Sequence, residues 1–240
     1  MNLKDKTAIV TGASGGLGKA FSMALVQKGV TVYGLARRED KLHSLQDEIG
    51  NRFQPIILDV TDHDAIEKWV NKTFSLDDAP DILINNAGLG LFGNVDKLSL
   101  EDWHSMMNTN LSGVFYMCRQ IIPLMKEKEN ICHIVNIASI AGKVGTPQMS
   151  GYNTTKFGLR GFSESLFKEL RYDGIKVTAL CPGSVNTHFF DSADGVDTHD
   201  NMLQPNEVAD FLVNVLETPD NFLVNEVVMR PLNPKPPEDT

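Results

Sequence analysis

The sequence predicts an α/β fold, a single domain on a mostly parallel, seven-stranded sheet with helices on both faces. Short apolar runs alternate along the chain with longer segments whose apolar residues recur every three or four positions. Strands that alternate with helices in this way are typical of a parallel sheet covered on both sides. The chain has 240 residues, 42% of them hydrophobic, which is enough for one substantial core. Residues 1–230 are therefore assigned to one domain.

Four strands are predicted in the first half of the chain, at residues 7–10, 30–35, 53–58 and 82–84. Helices separate them: one follows the glycine-rich turn 11–18 and stops at Gly29, one covers 39–49 and stops at Gly50, and one covers 64–74. Each of these glycines follows a helical pattern, and glycine favours a helix end because it accepts positive φ angles.

The second half of the chain continues this alternation. A long helical pattern covers 100–127, with Asn110 inside it and Pro123 near its end, and an apolar strand follows at 131–138. A helix that carries Tyr152 and Lys156, a strand at 175–180, a helix at 205–216 and a strand at 226–229 complete the fold.

Two segments depart from the pattern. Residues 184–204 are polar and rich in aspartate, so we expect a mobile loop over the substrate site. Residues 231–240 include four prolines and are expected to form an extended or disordered tail.

Composition and charge exclude several functions. The net charge of -9 argues against nucleic acid as a partner, because phosphate binding needs clustered basic residues. No apolar run reaches the roughly eighteen residues of a membrane span, so we expect a soluble, cytoplasmic protein without a membrane partner. The cysteines Cys118, Cys132 and Cys181 are scattered and the six histidines lack metal-ligand spacing. We therefore expect neither disulfides nor a metal.

Tyr152 and Lys156 are the first candidate catalytic pair. They lie four residues apart on a predicted helix, so their side chains share one face. A nearby positive charge typically lowers a pKa by ~1–3 units, which would bring the phenol toward the range of a general acid/base. Ser139 ends an apolar strand, where open parallel sheets place ligands. Alone, a tyrosine four residues before a lysine is more often an ordinary surface pair.

The turn 11–18, TGASGGLG, predicts a dinucleotide site. Gly12, Gly16 and Gly18 let the backbone turn tightly and approach a pyrophosphate at the N-terminus of the next helix. The alternative is a tight strand-to-helix connection without a ligand.

These motifs together resemble the short-chain dehydrogenase/reductase family. TGASGGLG, NNAG, Asn110, Ser139, YNTTK and PGSVNT occur in the order and at the intervals of that family, over nearly the whole chain. The resemblance implies a Rossmann-like, doubly wound domain that transfers hydride between a nicotinamide cofactor and a carbonyl or alcohol carbon of a small molecule. It also implies a homodimer or homotetramer through helices 100–126 and 152–170, although packing on the sheet explains their apolar residues equally well.

The resemblance assigns roles to four residues. Tyr152 donates the proton to the carbonyl oxygen, and Ser139 orients and polarises that oxygen. Lys156 lowers the pKa of Tyr152 and contacts the nicotinamide ribose. Asn110, placed by a helix bend, is expected to hold a water that links Lys156 to solvent.

The cofactor site implied by the resemblance follows the carboxyl ends of the strands. Asn85 and Asn86 could instead cap the sheet, and Thr187 could be a plain loop residue. Besides Tyr152 and Lys156, the site comprises Thr11, Gly12, Ser14, Gly15, Gly16, Leu17, Gly18, Arg37, Arg38, Asp59, Val60, Asn86, Ala87, Gly88, Pro182, Gly183, Val185 and Thr187.

Cofactor choice depends on the end of the second strand. Family members that prefer NAD usually carry an acidic residue where this chain has Ala36, and that carboxylate repels a 2′-phosphate. Arg37 can offer its planar donor fork to the phosphate, and Arg38 can assist. NADP(H) is therefore preferred, with NAD(H) possible. The alternative is that both arginines are solvated, or paired with Glu39 or Asp40.

We expect an NADP(H)-dependent oxidoreductase that acts on a small to medium carbonyl or secondary alcohol. A 3-oxoacyl-[acyl-carrier-protein] reductase or a 3-hydroxy acid dehydrogenase of the same family is an alternative. A non-catalytic NADP-binding sensor is disfavoured because the chain keeps the four catalytic candidates. A nucleotide-sugar epimerase is disfavoured by the glycine spacing and by the short C-terminal region.

Overall fold

The computed structural model describes residues 1–187, 189 and 198–236. Within these residues, seven strands form one parallel sheet in the order β3-β2-β1-β4-β5-β6-β7, which confirms the predicted fold class. The strands are β1 (Thr7–Thr11), β2 (Thr31–Ala36), β3 (Phe53–Ile57), β4 (Ile82–Asn85), β5 (Cys132–Ile137), β6 (Ile175–Pro182) and β7 (Glu226–Met229).

In the described part of the chain, seven α-helices connect the strands and cover both faces of the sheet. Residues of alternating strand positions face opposite cores, so that Ala8 and Val10 of β1 pack on one side and Ile9 packs on the other. The helices are α1 (Gly16–Gln27), α2 (Glu39–Ile49), α3 (His63–Thr73), α4 (Leu100–Met107), α5 (Gly113–Lys126), α6 (Ser150–Leu170) and α7 (Pro205–Leu216). The first core includes side chains of α1, α2 and α7, and the second includes side chains of α3, α5 and α6.

Local signals set several helix ends. Asp62 caps α3 by accepting a hydrogen bond from Ala65 N, and α2 ends at Gly50, whose φ is 87°. Pro205 occupies the first turn of α7, where its missing N–H costs nothing. Of these features, the sequence analysis used Gly50.

The helical pattern at 100–127 is interrupted in the structure. Between α4 and α5 the chain forms a wide π-helical turn, Asn108–Ser112, that contains the buried Asn110. Such turns occur often at functional sites. Two short 3₁₀ turns, Ile140–Gly142 and Arg171–Asp173, flank α6.

The order of the strands places a crevice at the carboxyl edge of the sheet. β2 and β3 lie on one side of β1, whereas β4 to β7 lie on the other. The loops after β1 and β4 therefore diverge, and ligands of open parallel sheets bind in such a crevice.

Of the substrate loop predicted at 184–204, the structure describes residues 184–187, 189 and 198–204. Asn186 N donates to Leu203 O at 2.9 Å, and Val185 forms an isolated parallel bridge with Leu203. Residues 188 and 190–197, and residues 237–240 of the predicted tail, lie outside the described residues. Within the described part of the chain, no helix is long and apolar enough to cross a membrane.

Candidate active site

A cavity of about 1040 Å³ occupies the crevice at the carboxyl edge. The loops after β1 to β6 line it, together with the first turns of α6. Of the predicted site residues, those in the lining are Gly12, Ser14, Gly15, Gly16, Leu17, Arg37, Arg38, Asp59, Val60, Asn86, Ala87, Gly88, Ser139, Tyr152, Lys156, Pro182, Gly183, Val185 and Thr187. The three that do not line it are Thr11, Gly18 and Asn110.

The glycine turn brings the start of α1 against β1. Gly12 and Gly16 have φ angles of +70° and +52°, a region that side chains rarely adopt. A Cβ on Gly18 would lie 2.2 Å from Gly12 O, so only glycine permits this approach. The helix starts at Gly16, inside the motif, and its first turn contains no acidic residue. This N-terminus suits an anionic group.

Thr11, at the end of β1, does not line the cavity but contacts the turn after β4 that does. Its Oγ1 accepts hydrogen bonds from Asn86 N and Ala87 N, both at 2.9 Å, and Asn86 Nδ2 donates to Thr11 O at 2.9 Å. The turns after β1 and β4 are thereby joined. Asn85 instead lies buried in the sheet, where its Nδ2 donates to Asn136 Oδ1 at 2.8 Å.

Tyr152 and Lys156 lie together on α6 and are buried, with 6% and 5% exposure. Lys156 Nζ is 5.6 Å from the centroid of the Tyr152 ring and donates a hydrogen bond to Ile137 O at 2.8 Å. A Cβ on Gly88 would lie 3.7 Å from Lys156 Nζ, so the turn after β4 lies against the lysine. Helical spacing thus brings the two side chains together, and the ends of β4 and β5 border them.

Ser139 follows β5 and faces the same part of the cavity. Its Oγ accepts a hydrogen bond from Ala141 N at 3.1 Å and lies 3.5 Å from Pro182 O. A hydrogen bond between Ser139 and Tyr152 lowers the pKa of the phenol. The serine is therefore placed beside the tyrosine and held by its own following turn.

Burial dominates the protonation of the pair. It raises the pKa of Tyr152 to about 12 despite the Ser139 hydrogen bond, and it lowers the pKa of Lys156 to about 8. For Tyr152, the effect of burial therefore exceeds that of the hydrogen bond with Ser139. At pH 7 the site holds a protonated phenol and a charged ammonium, a state that suits proton donation.

Asn110 joins the π-helical turn to two neighbouring segments. Its Oδ1 accepts from Leu89 N at 2.9 Å, and its Nδ2 donates to Leu89 O at 2.8 Å and Thr155 Oγ1 at 3.0 Å. The side-chain amide thus has protein partners on both atoms. Its observed contacts hold the turn after β4 against α6.

Three basic side chains line the end of the cavity near β2. Arg38 donates to Ser14 Oγ from Nε at 3.1 Å and from Nη2 at 3.0 Å, so it lies across the glycine turn. Arg37 is largely exposed, with Nη1 3.7 Å from Asp59 Oδ2. Lys41 lines the same end, and Ala36 leaves it without a carboxylate at the strand terminus.

The opposite end of the cavity is apolar. The rings of Phe92 and Phe189 lie 5.9 and 5.5 Å from the Tyr152 ring, centroid to centroid, and Met149 and Leu89 pack in the same cluster. The sequence analysis did not identify these residues, because they lie in irregular segments without periodicity. It also missed Asn153, which adjoins Tyr152 and whose partners lie across the turn after β5.

Comparison with known proteins supports this description. A family model for short chain dehydrogenases matches residues 6–195. An uncharacterized oxidoreductase of Staphylococcus saprophyticus is 33% identical over 236 residues, which cover 97% of this chain and 100% of that protein. A closed serine dehydrogenase complexed with NADP⁺ is 34% identical with a TM-score of 0.87, and the alignment covers 94% of each chain.

A further solved structure has the same fold at lower identity. A 3-ketoacyl-(acyl-carrier-protein) reductase from Brucella melitensis complexed with NADH is 25% identical, with a TM-score of 0.88 over 95% of this chain and 98% of that chain. The motif-based resemblance and the seven-stranded parallel sheet agree with all these matches. The chain therefore belongs to the short-chain dehydrogenase family of oxidoreductases.

Proposed function

We propose that this protein is an NADP(H)-dependent oxidoreductase that reduces the carbonyl group of a small to medium substrate, or oxidises the corresponding secondary alcohol. The observation that carries the proposal is the buried Tyr152, protonated at neutral pH, beside Ser139 and the charged Lys156 in one large cavity. A positioned acid with a neighbouring donor and a charge partner is what proton transfer to a carbonyl oxygen requires.

The residues of the cavity fit a nicotinamide cofactor. Gly12 and Gly18 allow a close backbone approach, and the start of α1 offers its N-terminus to a pyrophosphate. Arg37 and Arg38 would face a 2′-phosphate, and Ala36 places no carboxylate against it. When bound, the nicotinamide exchanges a hydride with the substrate carbon. The similar serine dehydrogenase was solved with NADP⁺, which agrees with this choice.

The chain's own residues supply the proton and its control. Tyr152 holds the proton on its hydroxyl, because its pKa of about 12 keeps it neutral at pH 7. Ser139 is placed to orient the substrate oxygen. Lys156, with a pKa of about 8, keeps its ammonium near the phenol and lowers the cost of the phenolate that proton donation leaves.

The lining near Tyr152 favours substrates with an apolar group next to the carbonyl. Leu89, Met149 and Phe189 supply that surface. A 3-oxoacyl thioester is therefore one candidate, in line with the similar 3-ketoacyl-(acyl-carrier-protein) reductase. A 3-hydroxy acid is the second candidate, and the 34% identity to a serine dehydrogenase favours it.

A substrate screen with a tyrosine variant tests the function. Apolar ketones and 3-oxoacyl thioesters are offered with NADPH, and 3-hydroxy acids with NADP⁺, while the absorbance of the reduced cofactor is followed. Tyr152→Phe removes the proton donor and keeps the ring, so turnover of the identified substrate should fall by roughly 10²–10⁴ with NADPH affinity unchanged.

Tyr172→Phe is the matched control, since Tyr172 is 85% exposed and lies outside the cavity. It should leave turnover unchanged. Near-normal turnover by Tyr152→Phe would show that the catalytic assignment is wrong.

A further inference from the structure

The segment between β5 and α6 carries Ser139 and much of the wall beside Tyr152. Residues 139, 140, 141, 144 and 146 line the cavity. Only the short 3₁₀ turn Ile140–Gly142 gives this segment regular structure before α6 begins. Its shape must therefore come from contacts with neighbouring elements.

Asn153, the residue after Tyr152, makes three hydrogen bonds to the backbone of this segment. Its Nδ2 donates to Ala141 O at 2.5 Å and to Val144 O at 2.8 Å, and its Oδ1 accepts from Thr146 N at 3.3 Å. The side chain is buried, with 7% exposure. A buried amide with both donors and its acceptor engaged fixes the backbone that it contacts.

The backbone of Ala141 connects Asn153 to Ser139. Its carbonyl accepts the short bond from Asn153, and the N–H of the same residue donates to Ser139 Oγ at 3.1 Å. A shift of Ala141 would therefore move the donor that orients the serine hydroxyl. Ser139 and Tyr152 line the same cavity, so the position of this hydroxyl bears directly on the site of the acid.

Arg160, one turn after Lys156 on α6, contacts the same segment. Its Nη1 donates to Gly142 O at 2.7 Å, while its Nε pairs with Glu226 Oε2 at 2.7 Å. This contact fixes the next peptide along and leaves the Ala141 and Val144 carbonyls to Asn153.

We infer that Asn153 is a positioning residue, which holds the Ala141 backbone and through it aligns the Ser139 hydroxyl with Tyr152. This inference rests on the proposed function, because it gives Asn153 its effect through the serine. We assign Asn153 no part in cofactor binding. The helix that carries the acid thus also sets the position of the polarising serine.

A double-mutant cycle tests the inference. In Asn153→Ser the shorter side chain cannot reach the Ala141 and Val144 carbonyls. Turnover of the identified substrate should then fall roughly 10–100-fold, since displacing a catalytic group commonly costs this much. In the Ser139→Ala background the same change should cost less than about threefold, because coupled residues are not additive. In every variant NADPH should bind at one site per chain, and its dissociation constant should stay within about twofold of the wild-type value.

Thr154→Ala is the matched control. Thr154 is exposed on the same helix and its hydroxyl bonds only to Ser150 O among the contacts observed, so turnover should not change. Amide hydrogen exchange adds a readout without substrate: Thr146 N–H should exchange faster in Asn153→Ser and at the wild-type rate in Thr154→Ala.

The outcomes separate the two proposals. If wild type turns over no carbonyl or alcohol, or if Tyr152→Phe is as active as wild type, the proposed function fails. If wild type is active but the losses from Asn153→Ser and Ser139→Ala multiply, Asn153 does not act through the serine and the inference is overturned. Should Asn153→Ser not fold, Asn153→Asp in the same cycle gives the same decision, because its carboxylate cannot donate to either carbonyl.

Discussion

Arg38 and Arg37 differ in how firmly the fold holds them. Arg38 lies on the glycine turn with three hydrogen bonds to Ser14, whereas Arg37 extends into solvent near Asp59. Neither contact uses Glu39 or Asp40, the partners considered as an alternative. Both guanidinium groups therefore remain at the cavity, where a 2′-phosphate would meet them.

We expect wild type to prefer NADPH over NADH by roughly 10–100-fold in kcat/KM, since a hydrogen bond to a charged group contributes about 1.5–3 kcal/mol. Arg37→Ala should reduce this ratio by weakening NADPH alone. Ala36→Asp should shift preference toward NADH, because the carboxylate repels the phosphate and can accept from a ribose hydroxyl. Steady-state kinetics with each cofactor measure the ratio.

Arg52→Ala provides the control for the loss of one positive charge. Arg52 pairs with Asp5 and lies outside the cavity, so the ratio should not change. Equal or better use of NADH by wild type would refute the assignment to NADP(H).

At the scale of elements, the turn after β5 and helix α6 meet at a glycine. A Cβ on Gly142 would lie 2.6 Å from Lys156 O and 2.9 Å from Arg160 Cδ. The first of these atoms belongs to the helix backbone and cannot move alone. The turn that carries Ser139 can therefore pack on α6 only with glycine at this position.

Gly142→Ala should lower the free energy of unfolding by about 1–3 kcal/mol, the usual cost of overpacking, and should reduce turnover because the Ser139 turn is displaced. Gly161→Ala is the matched change on the exposed side of α6, where an added Cβ meets nothing within 4 Å. It should raise stability by roughly 0.5–1 kcal/mol, since alanine favours helices over glycine. Denaturant unfolding measures both, and equal effects would contradict the packing argument.

At the scale of the whole molecule, a buried histidine links the sheet core to the chain before β7. His133 Nε2 lies 2.8 Å from Thr178 Oγ1, whose proton goes to Val224 O at 2.6 Å, so we assign the proton to Nε2. His133 Nδ1 has no hydrogen-bond partner among the described residues. Burial, with the nearby Lys176 and N-terminal amine, lowers the pKa of His133 to about 3.

This histidine should make folding stability depend on pH. Above the ordinary pKa of 6.5 both states are neutral, whereas below it the unfolded chain binds a proton that the folded chain excludes until about pH 3. Stability is therefore lost as pH falls, by about 1.4 kcal/mol per pH unit, or roughly 2 kcal/mol between pH 6.5 and 5. Between pH 6.5 and 5, the free energy of unfolding of His133→Gln should therefore fall by roughly 2 kcal/mol less than that of wild type.

Urea unfolding at both pH values measures the difference between wild type and variant. His104→Gln, at an exposed helix position, is the control and should follow wild type. A wild-type and His133→Gln difference that stays constant from pH 6.5 to 5 would show that His133 is protonated in the folded protein.

Elements with local start and stop signals could be predicted from sequence. Helix α2 and strand β7 occupy the predicted residues, 39–49 and 226–229, because periodicity and flanking residues such as Gly50 act within a few positions. The approach of Tyr152 to Lys156 likewise follows from helical spacing alone. The order of the motifs sufficed for the family, which the comparisons confirm.

What only the tertiary structure decided depends on residues far apart in the chain. The π-helical turn at Asn110 is held by Leu89 and Thr155, and Asn153 finds its partners only once the turn after β5 folds onto α6. The spacing to Lys156 suggested a lowered pKa for Tyr152, whereas burial raises that pKa to about 12 and outweighs the hydrogen bond with Ser139. Sequence spacing determines which groups share a helix face, whereas desolvation and long-range hydrogen bonds exist only after the chain has packed, and they set the protonation and alignment of the site.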